Sequence, residues 1–168
     1  MATRRELITW GEVDRLIDHL LPQFRGEYDG MVLITRGGII PGGLLSEAMG
    51  LQIVLTAAVD FPFKAQQEAA KLLAWPQFIQ FPEEDKLRGR KFLVVDDVWG
   101  SGRTITAVRG KVEASGGEVE TCVLHFNPSR SLLTQAAPSY YAAITDAFIV
   151  YPWEVDRRGS QALLNQLV

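Results

Sequence analysis

One stretch, FLVVDDVWGSGRT at residues 92–104, constrains the fold of this chain more than any other. Its first four residues form an uninterrupted apolar run, which is typical of a strand buried on both faces of a parallel sheet. Two adjacent carboxylates, Asp96 and Asp97, follow that run, and a small-residue turn then leads into an amphipathic segment. Ligands of open α/β sheets gather beyond the carboxyl ends of the strands. The stretch therefore predicts a site where acids adjoin an anion-binding loop, an arrangement that suits a sugar phosphate.

Apolar runs alternate with amphipathic segments along the rest of the chain. Strands are predicted at residues 31–35, 52–59, 91–98 and 118–126, with one or two more inside 140–150. Helices are predicted at 10–24, from about Pro41 to Gly50, at 104–114 and at 161–167, and residues 60–90 are predicted to be irregular, with a helical composition at 65–74. This alternation predicts one domain over residues 1–168, with a doubly wound, mainly parallel sheet and helices on both faces.

The composition excludes several classes of protein. A formal net charge of −3 provides no global positive field, so we expect no nucleic-acid partner. Cys122 is the only cysteine, which rules out an intrachain disulfide and a cysteine-based metal cluster. No apolar run reaches the ~18 residues of a membrane span, and the first residues lack the apolar core of a secretion signal. We therefore expect a cytoplasmic protein with no membrane partner.

The turn that follows the two acids is a candidate anion site. Backbone N–H groups of such a turn, at the N-terminus of a helix, bind anions, and the hydroxyls of Ser101 and Thr104 add donors. Its sequence is not a P-loop, because no Gly-Lys-Ser/Thr follows at the required spacing. Taken alone, an ordinary strand-to-helix turn explains it equally well. Neighbouring side chains of a strand point to opposite faces, so Asp96 and Asp97 can both face one ligand only where the strand is ending.

Two other segments carry weaker signals. Thr35, Arg36 and Gly37 directly follow a predicted strand, where glycine permits close approach of a ligand and arginine can bind a phosphate through two hydrogen bonds. A glycine-rich turn with a surface arginine is the alternative. The segment FIVYPWE, which begins at Phe148, concentrates aromatic side chains that could stack on a base, although core packing is their commoner use.

Taken together, these segments resemble the type I phosphoribosyltransferases, and most of all the bacterial xanthine–guanine enzymes. The resemblance spans roughly residues 7–154 and includes VVDDVWGSGRT, ITW before an amphipathic helix, TRGGIIPGGLLSEAMG and the late PWE. It implies the type I fold with a small C-terminal hood at residues 140–168 and a mobile loop at 60–86 that covers the site. It further implies a homo-oligomer, either a dimer or a tetramer.

The activity implied by the resemblance is transfer of the 5-phosphoribosyl group from phosphoribosyl pyrophosphate (PRPP) to a nucleobase, with Mg²⁺ as cofactor. The products would be a nucleoside 5′-monophosphate and pyrophosphate, and a 6-oxopurine is the leading acceptor. Asp96 and Asp97 would hold the ribose hydroxyls and Mg²⁺, and Arg36 would neutralise charge on the departing pyrophosphate. The remaining contacts would be Gly100, Ser101, Gly102, Arg103 and Thr104 on the 5′-phosphate, Thr35, Arg36 and Gly37 on pyrophosphate, and Phe148, Ile149 and Asn127 at the base.

The chain departs from the family pattern at the base. Gly100 stands where those purine enzymes carry an aspartate proposed as general base, and Asn127 stands where a lysine contacts the purine 6-oxygen. A Ser-Tyr pair of the covering loop is absent around Asp60. The second hypothesis is therefore a PRPP- or nucleotide-binding regulator with vestigial catalysis. A third, an unrelated phosphate-binding α/β protein, explains the loop but not TRGGIIPGG.

Overall fold

A computed structural model describes residues 4–62, 75–133 and 135–155. The strands of the main sheet are β2 (Gly30–Ile34), β3 (Ile53–Asp60), β4 (Gln77–Gln80), β5 (Lys91–Trp99), β6 (Glu118–Phe126) and β7 (Tyr140–Ile144). The helices are α1 (Trp10–Leu20), α2 (Ile39–Ala48), α3 (Glu84–Leu87), α4 (Arg103–Ala114) and α5 (Pro152–Val155). Strands β1 (Arg5–Leu7) and β8 (Phe148–Val150) form a separate two-stranded sheet.

The main sheet has the order β4-β3-β2-β5-β6-β7. All its pairings are parallel except β3 with β4, which is antiparallel and lies at the edge. The predicted fold class, a mainly parallel sheet with helices on both faces, is confirmed. In the centre of the sheet, β5 pairs with β2 on one side and with β6 on the other, so its apolar run is buried as expected.

Alternating side chains of β5 enter two different cores. Leu93 and Val95 pack in the core that contains α1 and α2, whereas Phe92 and Val94 pack in the core that contains α4. This alternation is the period-two geometry of a strand covered on both faces. The apolar run of β5 is therefore packed on both faces, which fixes the position of Asp96 and Asp97 later in the same strand.

The first helix begins as the sequence predicts. Thr9 caps it: its hydroxyl accepts from the Glu12 N–H at 3.2 Å, and the Thr9 N–H donates to Glu12 Oε2 at 2.7 Å. These reciprocal bonds form a capping box. The regular helix ends at Leu20 and continues as a 3-10 turn over Leu21–Gln23, short of the predicted end at residue 24.

The interpretation of residues 60–90 as irregular is wrong for β4 and α3. Strand β4 covers the outer edge of β3, which would otherwise present unpaired backbone groups. Phe78 and Phe81 meet edge to face at 5.3 Å, and the Lys111 ammonium of α4 lies over both rings at 4.1 and 4.7 Å. The helical composition predicted at 65–74 and the helix predicted at 161–167 lie outside the described residues.

The small sheet brings two segments that are distant in sequence together near the site. Strand β1 runs parallel to β8, with Arg5 opposite Phe148. Of the hood expected in residues 140–168, β7 belongs to the main sheet, β8 pairs with β1, and residues 156–168 lie outside the described residues. Within the described ranges no helix is long and apolar enough to cross a membrane.

Candidate active site

A cavity of about 800 Å³ lies at the carboxyl ends of β2, β5 and β6, beside the small sheet. Its lining includes Thr35, Arg36, Gly37, Asp96, Asp97, Gly100, Thr104, Asn127, Phe148 and Ile149, all of them predicted from the sequence. It also includes Arg130, which the sequence analysis did not single out, and Tyr151, Trp153 and Glu154, which belong to FIVYPWE but were not assigned to the site. Of the predicted site residues, Ser101, Gly102 and Arg103 do not line this cavity.

The two acids lie within strand β5, which continues to Trp99. The pairing of β2 with β5 stops at Leu33 and Val95, so β5 has no β2 partner beyond that point. The Asp97 N–H donates to Asp96 Oδ1 at 2.9 Å, and the Val98 N–H donates to Asp97 Oδ1 at 2.7 Å. Both acids line the cavity because the neighbouring strand ends before β5 does.

Burial disfavours the ionised form of both carboxyl groups. It raises the pKa of Asp97 to about 6, and the charge of Glu154 adds to that rise. Burial also raises the pKa of Asp96 well above its usual range, and the neighbouring Asp97 charge contributes. A cation held beside the pair would favour the charged forms and lower both pKa values.

The turn after β2 approaches the acid pair closely. A β-carbon built on Gly37 would lie 2.5 Å from both Cγ and Oδ2 of Asp97. Only glycine leaves room for the carboxyl group in its present position. The Thr35–Arg36 peptide bond, which precedes this glycine, is cis. The arginine that the turn carries lines the same cavity as the two acids.

The anion loop has the features that its sequence predicts. Gly102 is the N-cap of α4 with a φ of 78°, a left-handed conformation that suits glycine, and no side chain caps the helix. The first turn of α4 contains no acidic residue, so the partial positive charge of the helix N-terminus is not compensated within it. Gly100 and Thr104 face the cavity. The Arg103 guanidinium lies 4.2 Å above the Phe61 ring.

The end of the cavity where the resemblance predicts the base combines an aromatic ring with a buried amide. Phe148 is 43% exposed, and the Arg5 guanidinium lies 5.7 Å from its ring centroid. Asn127 is buried, and its amide is occupied: Oδ1 accepts from Ser129 Oγ at 2.7 Å, and Nδ2 donates to the Ala147 carbonyl at 3.3 Å. These bonds give the Asn127 amide a structural role. A contact between Asn127 and the base stays a prediction.

Tyr151 is the residue of the site that sequence reasoning missed most clearly. Its hydroxyl donates to the Asp97 carbonyl at 2.9 Å, so the His125 Nδ1 atom, 2.8 Å away, must donate to the tyrosine oxygen. The Tyr151 ring stacks on Trp153 at 4.5 Å with planes 5° apart. Burial lowers the pKa of His125, which favours the neutral ring. The motif FIVYPWE signalled aromatic packing, but it gave no sign of which ring would meet β5.

The chain matches the phosphoribosyl transferase domain family over residues 9–157 and belongs to that family. It is thus an enzyme of the phosphoribosyltransferase class. It is 30% identical over 150 residues to a xanthine-guanine phosphoribosyltransferase of Gluconobacter oxydans, covering 88% of this chain and 83% of that one.

Solved structures of phosphoribosyltransferases have the same fold as this chain. A purine phosphoribosyltransferase of Pyrococcus horikoshii is 28% identical and superposes with a TM-score of 0.77, covering 90% of this chain and 95% of that one. A xanthine-guanine-hypoxanthine phosphoribosyltransferase of Helicobacter pylori shares the fold with a TM-score of 0.74 at 16% identity, covering 95% and 99% of the two chains.

Proposed function

We propose that this enzyme transfers the 5-phosphoribosyl group of PRPP to a purine, with a 6-oxopurine as the preferred acceptor. The bond from ribose C1′ to a pyrophosphate oxygen breaks, a bond from C1′ to a base nitrogen forms, and the proton of that nitrogen passes to solvent. The observation that carries the proposal is the single cavity in which an acid pair, an anion loop, an arginine and an aromatic ring meet. Purine specificity is supported by the names of the relatives.

The acid pair suits Mg²⁺ together with the ribose hydroxyls. Magnesium prefers oxygen ligands and is usually held by one or two carboxylates plus substrate phosphates. Among the described residues, no group of three or more potential ligands could hold a metal ion, so Asp96 and Asp97 would need oxygens from the substrate. When bound, Mg²⁺ supplies charge neutralisation for the leaving pyrophosphate. The raised pKa values of both carboxyls fit a site completed by a cation.

The loops on either side of the acids would hold the two ends of PRPP. Backbone groups from Gly100 to Thr104 would bind the 5′-phosphate at the N-terminus of α4. Thr35, Arg36 and Gly37 would bind pyrophosphate, where the Arg36 guanidinium neutralises the charge that develops on the departing oxygen. Displacement at an anomeric carbon builds positive charge on the ribose, and the nearby carboxylates favour that charge.

Loss of the family's loop aspartate at Gly100 changes the rate that we expect rather than the reaction. General acid–base help is worth ~10²–10⁴-fold, so a site that lacks it still retains orientation and electrostatic stabilisation. The base would then lose its proton to solvent. Phe148 would stack on the base, and the Ile149 backbone would read its edge.

The deciding experiment incubates the protein with PRPP, Mg²⁺ and each of hypoxanthine, guanine, xanthine, adenine and orotate, and measures pyrophosphate release. Base-dependent release that is lost in Asp97→Asn supports the transferase. Tight binding of PRPP or nucleotides without turnover of any base would favour the alternative, a regulator with vestigial catalysis. A single domain and a cytoplasmic location stay predictions from the pattern and composition of the sequence, and a dimeric or tetrameric state stays a prediction from the resemblance. Light scattering after gel filtration measures the oligomer.

A further inference from the structure

Two arginines line the cavity, and only Arg36 has a role in the reaction proposed above. Arg36 follows β2, whereas Arg130 follows β6, and β5 with its acid pair lies between those strands. Neighbouring strands are ~4.8 Å apart, so β2 and β6 are separated by about 10 Å, and the two arginines follow strands on opposite sides of the acid pair. This placement leaves Arg130 available for a part of the substrate other than the one that Arg36 would contact.

The turn that carries Arg130 is anchored to the wall of the base end. The Arg130 N–H donates to Asn127 Oδ1 at 3.2 Å, and the same oxygen accepts from Ser129 Oγ. Asn127 Nδ2 in turn donates to the carbonyl of Ala147, the residue before Phe148. The buried amide thus ties the backbone of Arg130 to the strand whose ring is proposed to stack on the base.

The Arg130 side chain itself is exposed. Within residues 4–62, 75–133 and 135–155, no carboxylate forms an ion pair with its guanidinium. A guanidinium offers five N–H donors in a planar fork and no acceptor. Its partner in the cavity must therefore present acceptors, and two adjacent acceptors fit the fork best.

We propose that Arg130 selects the base by donating to O6 and N7 of a 6-oxopurine, an inference that rests on the proposed function. Arginine pairs with these two atoms of guanine through two hydrogen bonds. Adenine carries an amino group at C6. This group is a hydrogen-bond donor, so it cannot accept from the guanidinium as O6 does. The positive charge also stabilises a purine that loses its proton, because the resulting negative charge spreads onto O6. The positive charge beside the base would thus come from Arg130 rather than from position 127.

The competing role for Arg130 is a contact with the 5′-phosphate. The Leu132 N–H donates to the Ser101 carbonyl at 3.1 Å, which places the same turn beside the anion loop. A phosphate contact would serve every nucleotide equally, whereas a contact with O6 and N7 distinguishes guanine from adenine. Comparison of two nucleotides that differ only in the base separates the two roles.

The test measures GMP and AMP affinities by calorimetry for the wild type, Arg130→Gln and Arg109→Gln. Arg109 provides the matched control, because it is exposed on α4, pairs with Glu113 at 2.9 Å and does not line the cavity. Glutamine removes the charge, and its amide matches the N6 and N7 atoms of adenine. We expect the preference for GMP over AMP to fall roughly 5- to 150-fold in Arg130→Gln and to stay unchanged in Arg109→Gln.

The remaining outcomes distinguish failure of the inference from failure of the proposed function. Equal losses for GMP and AMP in Arg130→Gln would assign the arginine to the phosphate and overturn the inference, and so would unchanged affinities for both. Failure of the wild type to bind either nucleotide would overturn both the inference and the proposed function. A wild type whose GMP preference depends on Arg130, but which transfers phosphoribose to no base, would leave the base contact standing and remove the catalytic proposal alone.

Discussion

The Asp97 carboxyl group lies directly against the Cα of Gly37, where a β-carbon would come within 2.5 Å of Asp97 Cγ. This contact joins the turn after β2 to the acid pair of β5. The turn proposed to hold pyrophosphate and the acid proposed to hold Mg²⁺ are therefore in van der Waals contact, so a change in one displaces the other.

Gly37→Ala should displace the Asp97 carboxyl and weaken binding of Mg-PRPP by at least ~10-fold, or about 1.4 kcal/mol. Calorimetric titration with Mg-PRPP measures the loss. Gly43→Ala is the matched control, because a β-carbon at Gly43 meets nothing within 4 Å and alanine favours its helix. Equal affinities for the two variants would show that the Asp97 position does not matter for PRPP.

Asp97→Asn should stabilise the ligand-free protein while abolishing binding of Mg-PRPP. The pKa of Asp97 is raised to about 6 by burial, from 3.8, so the native state keeps its proton to higher pH than the unfolded chain does. The free energy of unfolding therefore falls as pH rises from about 3.8 to 6, and the full cost is present above that window. The cost is at most roughly 3 kcal/mol.

Thermal melts of wild type and Asp97→Asn from pH 4 to 8 measure this effect, with the exposed Asp18→Asn as control. The melting temperature of Asp97→Asn should exceed that of the wild type mainly at the upper end of the pH range. A variant that is less stable than the wild type at pH 7.5 would mean that the carboxylate is satisfied without a cation.

Tyr151→Phe should destabilise the protein and loosen the acid pair. The substitution removes the bond to the Asp97 carbonyl and leaves His125 Nδ1 buried without its acceptor, a loss of about 1–3 kcal/mol. Chemical denaturation measures the stability, and PRPP titration measures the site. Tyr141→Phe is the control, since Tyr141 packs its ring on Phe126. Equal effects of the two substitutions would argue against a special role for the Tyr151 hydroxyl.

Gly100→Asp should raise kcat/KM for hypoxanthine or guanine by at least ~10-fold, because the new carboxylate can accept the proton that the base loses. A β-carbon at Gly100 meets nothing within 4 Å, and φ there is not positive, so the fold should tolerate it. Asn127 is left unchanged because its buried amide is already bonded. Gly110→Asp on the exposed side of α4 serves as control. Without a gain, proton removal is not limiting.

Residues 60–86 should gain amide protection when Mg-PRPP binds, as expected of a loop that covers the site and excludes water. Hydrogen exchange read by mass spectrometry measures this. The amides of β4 should already be protected in the free protein, because this strand pairs with β3. Strong protection of the whole segment before ligand is added would remove the covering role.

Local signals in the sequence were enough for most elements of the fold. The strand predicted at residues 118–126 has these bounds in the structure, and the capping box of Thr9 and Glu12 is confirmed. Strands β1 and β4 were missed, because they contain only three and four residues and lack a repeating pattern. They form because they cover the edges of other strands, which is a tertiary effect.

The site, like the fold, combines features that local sequence predicts with contacts that only the tertiary structure determines. The rule that ligands lie beyond strand ends singled out the acids, the anion loop and the arginine turn as candidates. The loop and the arginine turn directly follow β5 and β2, whereas the acids lie in the last residues of β5 itself. The contacts among them depend on the tertiary structure alone: Tyr151 is 54 residues from Asp97 and 26 from His125. Periodicity and turn chemistry depend only on a segment's own residues. The sequence therefore determined which groups lie at the carboxyl ends of the strands. Packing of distant segments decided which of those groups touch, because it depends on shape and distance that no local pattern contains.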